Sequence, residues 1–362
     1  MSSFTNYKRL SIANAKVALL LCIALAAHGS EKSSHVGLGV SAIYQSPESA
    51  QSAFARYEYT EYHMGVDVRI VVYAASKPSA EQACAAAFER FAQLDTIMSD
   101  YRSNSELMRL CSRAGGPAVP VSSDLFLVLS RSQELARRSG GAFDITCGPL
   151  VRLWRSARKT GVAPSTSEID AVRKRIGWRF LELDSRLRTA RLRVPGMQLD
   201  LGGIAKGYAD DCAQTALKQH GISRALIEAG GDIVVSDPPP GKAGWKIQIP
   251  NAVSDQGVPE LFANAAISTS GDLEQSVEIG GKRYSHIVDP RTAVPLSDRI
   301  QVTIVARNGL TSDGLSTAVS VLGAKQGRAL ARRYAGTKVY VRFAMGTEGT
   351  VHSPGRFQKS DE

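Results

Sequence analysis

Three stretches of the chain carry residue types that act on phosphates and protons. The first is Asp200-Leu201-Gly202-Gly203-Ile204-Ala205-Lys206-Gly207-Tyr208-Ala209-Asp210. It follows an apolar run and enters a helical pattern, so its glycines stand where a backbone approaches something closely or takes a positive φ. Free N–H groups at a helix start, the positive end of the helix dipole and a lysine in the first turn are the parts of an anion site. The spacing is neither that of a P-loop nor G-x-G-x-x-G, and alone it reads equally well as an ordinary strand-to-helix turn. The second stretch is Thr311-Ser312-Asp313-Gly314-Leu315-Ser316-Thr317. If Asp313 starts a helix, Ser316 and Thr317 follow on its face, and carboxylate, hydroxyl and carbonyl oxygens are the hard ligands that Mg²⁺ prefers. Taken alone, Asp313 reads as an N-cap. The third stretch, Lys282-Arg283-Tyr284-Ser285-His286-Ile287-Val288-Asp289-Pro290-Arg291-Thr292, holds His286 in an expected strand with an acid three positions on. That makes His286 a candidate proton acceptor, while Arg291 equally well pins the turn. By themselves, Thr269-Ser270-Gly271-Asp272 is a turn and Glu228-Ala229-Gly230-Gly231-Asp232 a hairpin.

The elements that position these stretches are legible in outline. Alternation and valine content predict a strand over residues 64–74, and apolar residues at helical spacing predict a helix over 78–98. Ser103 and Glu106 have the spacing of a capping box. Helices are expected at 122–139, stopped by Gly140-Gly141, and at 167–176, ended by Gly177, with 142–149 as a loop between them. Residues 181–192 read as a hairpin turning at Asp184-Ser185-Arg186, and 197–199 as a short buried strand leading to a helix over 209–219. Further strands are expected at 225–228, 232–235, 245–249, 264–268, 275–278, 283–288, 300–306 and 338–343, with helices at 315–323 and 324–334. Strands come in pairs and helices in small groups, which predicts an α+β fold with a largely antiparallel sheet.

The chain has 362 residues and a formal charge of +10. The positive balance favours anionic ligands or a membrane surface. Zinc-finger spacing and basic runs interleaved with aromatics are absent from the sequence, which argues against nucleic acid. Residues 1–30 have the pattern of a secretory signal or N-terminal anchor: Lys8, Arg9 and Lys16 precede a short apolar run, and Ala24 and Ala26 mark a cleavage site. Residues 31–56 read as a flexible linker, 57–345 as one functional domain and 346–362 as a polar tail. The expected location is therefore the periplasmic side of the inner membrane, with peripheral or anchored association. Cys84, Cys111, Cys147 and Cys212 have no metal-ligand spacing and read as separate thiols.

Taken together, these stretches resemble the FAD:protein FMN transferase family, the ApbE type. The resemblance is carried by Asp100-Tyr101-Arg102-Ser103-Asn104-Ser105-Glu106, Gly140-Gly141-Ala142-Phe143-Asp144-Ile145-Thr146, the stretch from Asp200 to Tyr208, Glu228 to Asp232, Thr269 to Asp272, Tyr284 to Thr292, and Asp313 with Thr317, in the family's order. It implies a T-fold-like two-layer body binding one FAD and one Mg²⁺, and transfer of FMN from FAD to a Thr or Ser hydroxyl of an acceptor protein with release of AMP. The acceptors implied are redox-pump subunits and related flavoproteins. Some relatives instead hydrolyse FAD to FMN and AMP, and an exported flavin-binding protein without turnover is a third reading. Position by position, the resemblance implies that Met64, Tyr101, Ala142, Phe143, Asp144, Asp200, Lys206 and Ile287 line the FAD site. It implies that Gly203, Asp313 and Thr317 hold the metal, with Ser316 beside them, and that Tyr101 and Phe143 stack on or wall the rings. His286 is the expected proton acceptor. Three positions depart from the family pattern: Leu273 replaces a commoner aromatic, Ala293 the usual glycine, and Ser316 stands where several relatives have aspartate. The chain lacks the acceptor signature D-x-x-[ST]-G-A-[ST], so it resembles the donor enzyme rather than a flavinylated target.

Overall fold

The structure is a computed structural model that describes residues 54–250, 258–271, 276–297 and 299–343. The expected leader, nearly all of the expected linker, the tail, and Asp272 and Leu273 lie outside the described residues. Seven strands form the main sheet: β1 (Ala55–His63), β2 (Val66–Ala74), β3 (Ala225–Ala229), β4 (Asp232–Val235), β5 (Ala265–Gly271), β6 (Ile300–Ala306) and β7 (Lys338–Phe343). They lie side by side in chain order, and every neighbouring pair is antiparallel. The expected α+β class and antiparallel sheet are therefore both present.

The period of two decides which face each residue serves. On β2, Val68, Ile70 and Val72 enter the main core, whereas Val71 and Tyr73 pack on the other face. That second face is covered by the ribbon of Trp245–Ile249 and Val258–Phe262, whose Trp245, Ile247 and Phe262 meet Val71 and Leu226. The helices are α1 (Lys77–Met98), α2 (Glu106–Ser112), α3 (Ser123–Ser139), α4 (Gly148–Thr160), α5 (Thr166–Arg173), α6 (Ala205–Gln219) and α7 (Gly309–Ala331). Three of them, α1, α6 and α7, pack on the first face. In α1, Ser76 caps the start, and Ala80, Ala83, Ala87, Phe91 and Leu94 form the buried stripe. Phe91 is wholly enclosed, and truncating it to alanine would cost about 3–5 kcal/mol.

Several local expectations are corrected. β1 begins inside the segment read as a linker; charges alternate with Tyr57 and Tyr59 along this edge strand, which hides its inward face. Met64 and Gly65 are not strand residues: both take positive φ and form the two-residue turn between β1 and β2. Residues 197–199 make only one isolated bridge, Gln198 with Cys147. The cap of α2 is Ser105 rather than Ser103, and Glu106 instead accepts from the Ser122 N–H. Residues 150–160, unassigned from the sequence, belong to α4. The two helices expected near the C-terminal end start earlier than foreseen, at Gly309, and are broken at Gly323, whose φ of 73° is non-helical.

Candidate active site

The site is built where the starts of α6 and α7 cross. Gly207 and Gly309 meet there so closely that a Cβ on Gly207 would lie 2.1 Å from the Gly309 carbonyl oxygen. Only glycine permits this approach. Each helix then supplies a carboxylate to the other's exposed N–H groups. Asp313 of α7 accepts from the Gly207 N–H at 3.0 Å, and Asp211 of α6 accepts from Gly309 and Leu310 at 2.7 and 2.9 Å. Asp313 is thus neither the N-cap of its own helix nor at its start. Asn308 caps α7, and Asp313 caps the neighbouring helix instead.

This crossing brings Lys206 to Asp313. The Lys206 ammonium lies 3.0 Å from Asp232 Oδ2 and 3.8 Å from Asp313 Oδ2. Asp232 opens β4 directly after the positive-φ pair Gly230-Gly231. Burial pulls the acidity of the ammonium in one direction, but Asp232 and Asp313 outweigh it, and Lys206 is held charged above the ordinary lysine range. Asp210, one turn after Lys206, is fully buried, and neither of its oxygens has a hydrogen-bond partner. Burial, and next the charge of Asp232, push its carboxyl well above the usual aspartate range. Burial and Asp232 likewise raise Asp313, against the pull of Lys206. Three carboxyls therefore surround one ammonium.

The expected metal residues share this place. Gly203 faces Thr317, since a Cβ on Gly203 would lie 2.8 Å from Thr317 Oγ1, and Thr317 is one turn beyond Asp313 on α7. Ser316 is buried, and its hydroxyl donates to the Asp313 carbonyl at 2.8 Å. Among the described residues, no cluster of three or more His, Cys, Asp or Glu side chains forms a ligand set. The donors at hand are one carboxylate, hydroxyls and backbone oxygen. That set fits Mg²⁺, which keeps waters and substrate oxygens in its shell, better than a metal that needs a protein cage.

The flavin-side residues divide. Ala142 and Ile287 pack together with Val321, which is one turn past Thr317 on α7, so they lie toward the Thr317 side of the crossing. Phe143 is 4% exposed with its ring in the main core, so it walls no ligand with an open aromatic face. Asp144 has both oxygens engaged: Thr146 donates to one through its N–H and hydroxyl, and the Trp178 N–H donates to the other. It braces the loop that carries Ala142. Asp200 accepts from the Gly202 N–H, and its own N–H donates to Ile145, tying the glycine turn to that loop. Met64 sits in the β1–β2 turn, partly packed on the core. Tyr101 is 78% exposed. An open cavity of about 630 Å³ lies beside the Gly65 and Gly230-Gly231 turns, lined also by Thr60, Asp67, Arg69 and Glu228 rather than by Lys206 or Asp313.

His286 is not in a strand. The strand Lys282–Ser285 ends before it, and Val288–Asp289 begins after it, leaving His286 half-buried at the bend. The acid three positions on is bound to Arg291, whose N–H and guanidinium both donate to Asp289. Arg291 thus pins the turn, as one of its two readings foresaw.

Three residues at the site received no role of their own from the sequence: Asp232, Asp210 and Arg155. Asp232 and Asp210 carried signals, a glycine pair before one and the i, i+4 spacing from Lys206 for the other. Arg155 carried none. It bridges Asp100 and Asp200, contacting Asp200 at 3.0 Å, and its guanidinium carbon lies 4.7 Å over the Tyr101 ring.

The chain matches the model of the ApbE family over residues 64–341. It is 34% identical over 245 residues to an FAD:protein FMN transferase of Vibrio cholerae, covering 66% of this chain and 73% of that one. It is 30% identical over 255 residues to the FAD:protein FMN transferase of Escherichia coli K12, covering 68% and 72%. Among solved structures it is similar to the flavinyl transferase ApbE of Pseudomonas stutzeri in its apo form, with a TM-score of 0.72, 29% identity, and coverage of 81% of this chain and 92% of that one. The ApbE protein of Thermotoga maritima is comparably similar, with a TM-score of 0.72, 29% identity and coverage of 80% and 94%.

Proposed function

This chain belongs to the ApbE family, and we propose that it is an FAD:protein FMN transferase that works with Mg²⁺ bound beside Asp313. The acceptor hydroxyl attacks the phosphorus on the FMN side of the FAD pyrophosphate. A new P–O bond forms, the bond from that phosphorus to the bridging oxygen breaks, and AMP leaves with the electron pair. The hydroxyl proton passes to a base, and His286 is the proposed acceptor. Lys206 stays charged and so cannot serve as that base; it stabilises charge on the phosphate oxygens. Asp313, Thr317, the Gly203 backbone and the neighbouring Ser316 are the residues that would hold the metal, which supplies Lewis-acid neutralisation of the departing phosphate when bound. The observation that carries this reading is the meeting of Lys206 with Asp313 and of Gly203 with Thr317 in one place, although the two helices are far apart in sequence.

The acceptor is proposed to be a redox-pump subunit or related flavoprotein, met on the periplasmic side of the inner membrane; the targeting pattern of residues 1–30 supports that location. Among the described residues, no helix is long and apolar enough to cross a membrane. AMP release from FAD tests the metal role. It should stop in EDTA, return with added Mg²⁺, and be lost in Asp313→Ala. Full activity of Asp313→Ala in EDTA would refute it. Equal AMP release with and without acceptor would favour the hydrolase reading.

A further inference from the structure

We propose that Arg155 is a positioning residue for flavin binding, which turns the exposed Tyr101 side chain into a fixed stacking platform. The inference rests on the flavin reading above. Tyr101 lies in the segment between α1 and α2 and is 78% exposed, so by itself its ring would sample several rotamers. The Arg155 guanidinium covers one face of that ring at 4.7 Å. The guanidinium is itself fixed from two directions, by Asp100 on one side and Asp200 on the other. Asp200 is anchored in turn to the glycine turn through the Gly202 N–H. The chain of contacts therefore runs from the metal-bearing turn to an aromatic face, through one side chain on α4. With one face of Tyr101 occupied, the other is presented to solvent at a set angle. That is the geometry that receives a planar heteroaromatic such as the isoalloxazine of FAD.

Arg155 is not itself an anion ligand. Two carboxylates already neutralise it, so the trio carries net negative charge, and a phosphate would gain nothing from displacing them. Its contribution is preorganisation, which lowers the ordering cost of binding rather than adding a contact to the reacting atoms.

The test is equilibrium dialysis of FAD against full-length protein with Mg²⁺ at low temperature, on the wild type, Arg155→Lys, Tyr101→Leu and the double variant. Arg155→Lys keeps the charge between Asp100 and Asp200, so it should fold; Arg155→Met removes the charge and serves as the harsher variant. The expected result is about a tenfold weaker Kd for FAD in Arg155→Lys, a similar loss in Tyr101→Leu, and a double variant little weaker than either single one. In Arg155→Lys the loss should fall on KM for FAD more than on kcat, because Arg155 touches no reacting atom. Unchanged affinity in both Arg155 variants would overturn the proposal, as would losses that simply multiply in the double variant. If the wild type binds no FAD, the flavin reading fails and this inference with it.

Discussion

Lys206 illustrates how a single residue changes meaning when its neighbours arrive. In the sequence it is a lysine in a first helical turn, consistent with anion binding. In the structure it is an ammonium held by Asp232 and Asp313, so its charge is committed before any ligand comes. Lys206→Met should lower FMN transfer by about 10²–10³-fold, the usual effect of losing one donor to a developing phosphate charge. Flavinylation rate at saturating FAD, alongside a melting curve, measures this; transfer at the wild-type rate would remove Lys206 from the mechanism. Asp211 gives a prediction about pH. Burial pushes its carboxyl from the ordinary 3.8 up to about 6, against the pull of the Leu310 and Gly309 N–H bonds. The folded state therefore holds this proton more tightly than the unfolded state does. The contribution of Asp211 to stability is greatest below about pH 4, falls as pH rises to about 6, and is flat above that, a change of roughly 3 kcal/mol. Chemical denaturation across this range should show Asp211→Asn gaining on the wild type as pH rises; parallel profiles would contradict it. The structure brings Lys206, Asp313 and Thr317 to one place, and the stretches that carry them were marked in the sequence by glycine, hydroxyl and carboxylate spacing. Arg155 was not, because its role exists only through contacts with Asp100, Tyr101 and Asp200, which no local pattern encodes.

The unit that matters among the elements is the crossed pair α6 and α7. Each helix start is satisfied by a carboxylate from the other, and the two backbones touch at Gly207 and Gly309. Gly207→Ala would force a methyl into the Gly309 carbonyl. The expected cost is about 3 kcal/mol, at the upper end of overpacking, together with a loss of FMN transfer, because Lys206 and Asp313 would be moved apart. Urea unfolding and transfer rate measured on the same sample check both parts, and a stable, active Gly207→Ala would disprove the crossing. Ala293 is a milder case. It has a positive φ of 64° and is fully buried beside Trp154. Replacing it by glycine relieves about 1–2 kcal/mol of left-handed strain and loses about 0.8 kcal/mol of methyl burial plus backbone entropy. Ala293→Gly should therefore melt within a few degrees of the wild type; a large drop would show that the methyl is essential. The break at Gly323 and the hairpin turning at Asp184 were readable in the sequence, because glycine and aspartate mark such turns locally. The early start of α7 has one local signal, the Asn308 cap, but the hold on its first two N–H groups comes from Asp211, about a hundred positions away, which no local pattern encodes.

At the scale of the whole molecule, an antiparallel sheet was inferable from paired strands, but its register was not. The β2 strand finds β3 across more than 150 residues, with Arg69 opposite Glu228, and that pairing is what places Asp232 over α6. The result is a sheet in chain order whose helical face carries a crossed pair of helix starts, with Lys206, Asp313 and Thr317 at the crossing. FMN transfer by this chain is measured most directly as the intact mass of a candidate acceptor protein after incubation with the chain, FAD and Mg²⁺. The expected product is an acceptor with one added FMN, less water, on a single Thr or Ser, with AMP in equal amount, and neither product with Asp313→Ala. An acceptor of unchanged mass beside free FMN and AMP, or full labelling by Asp313→Ala, would contradict it.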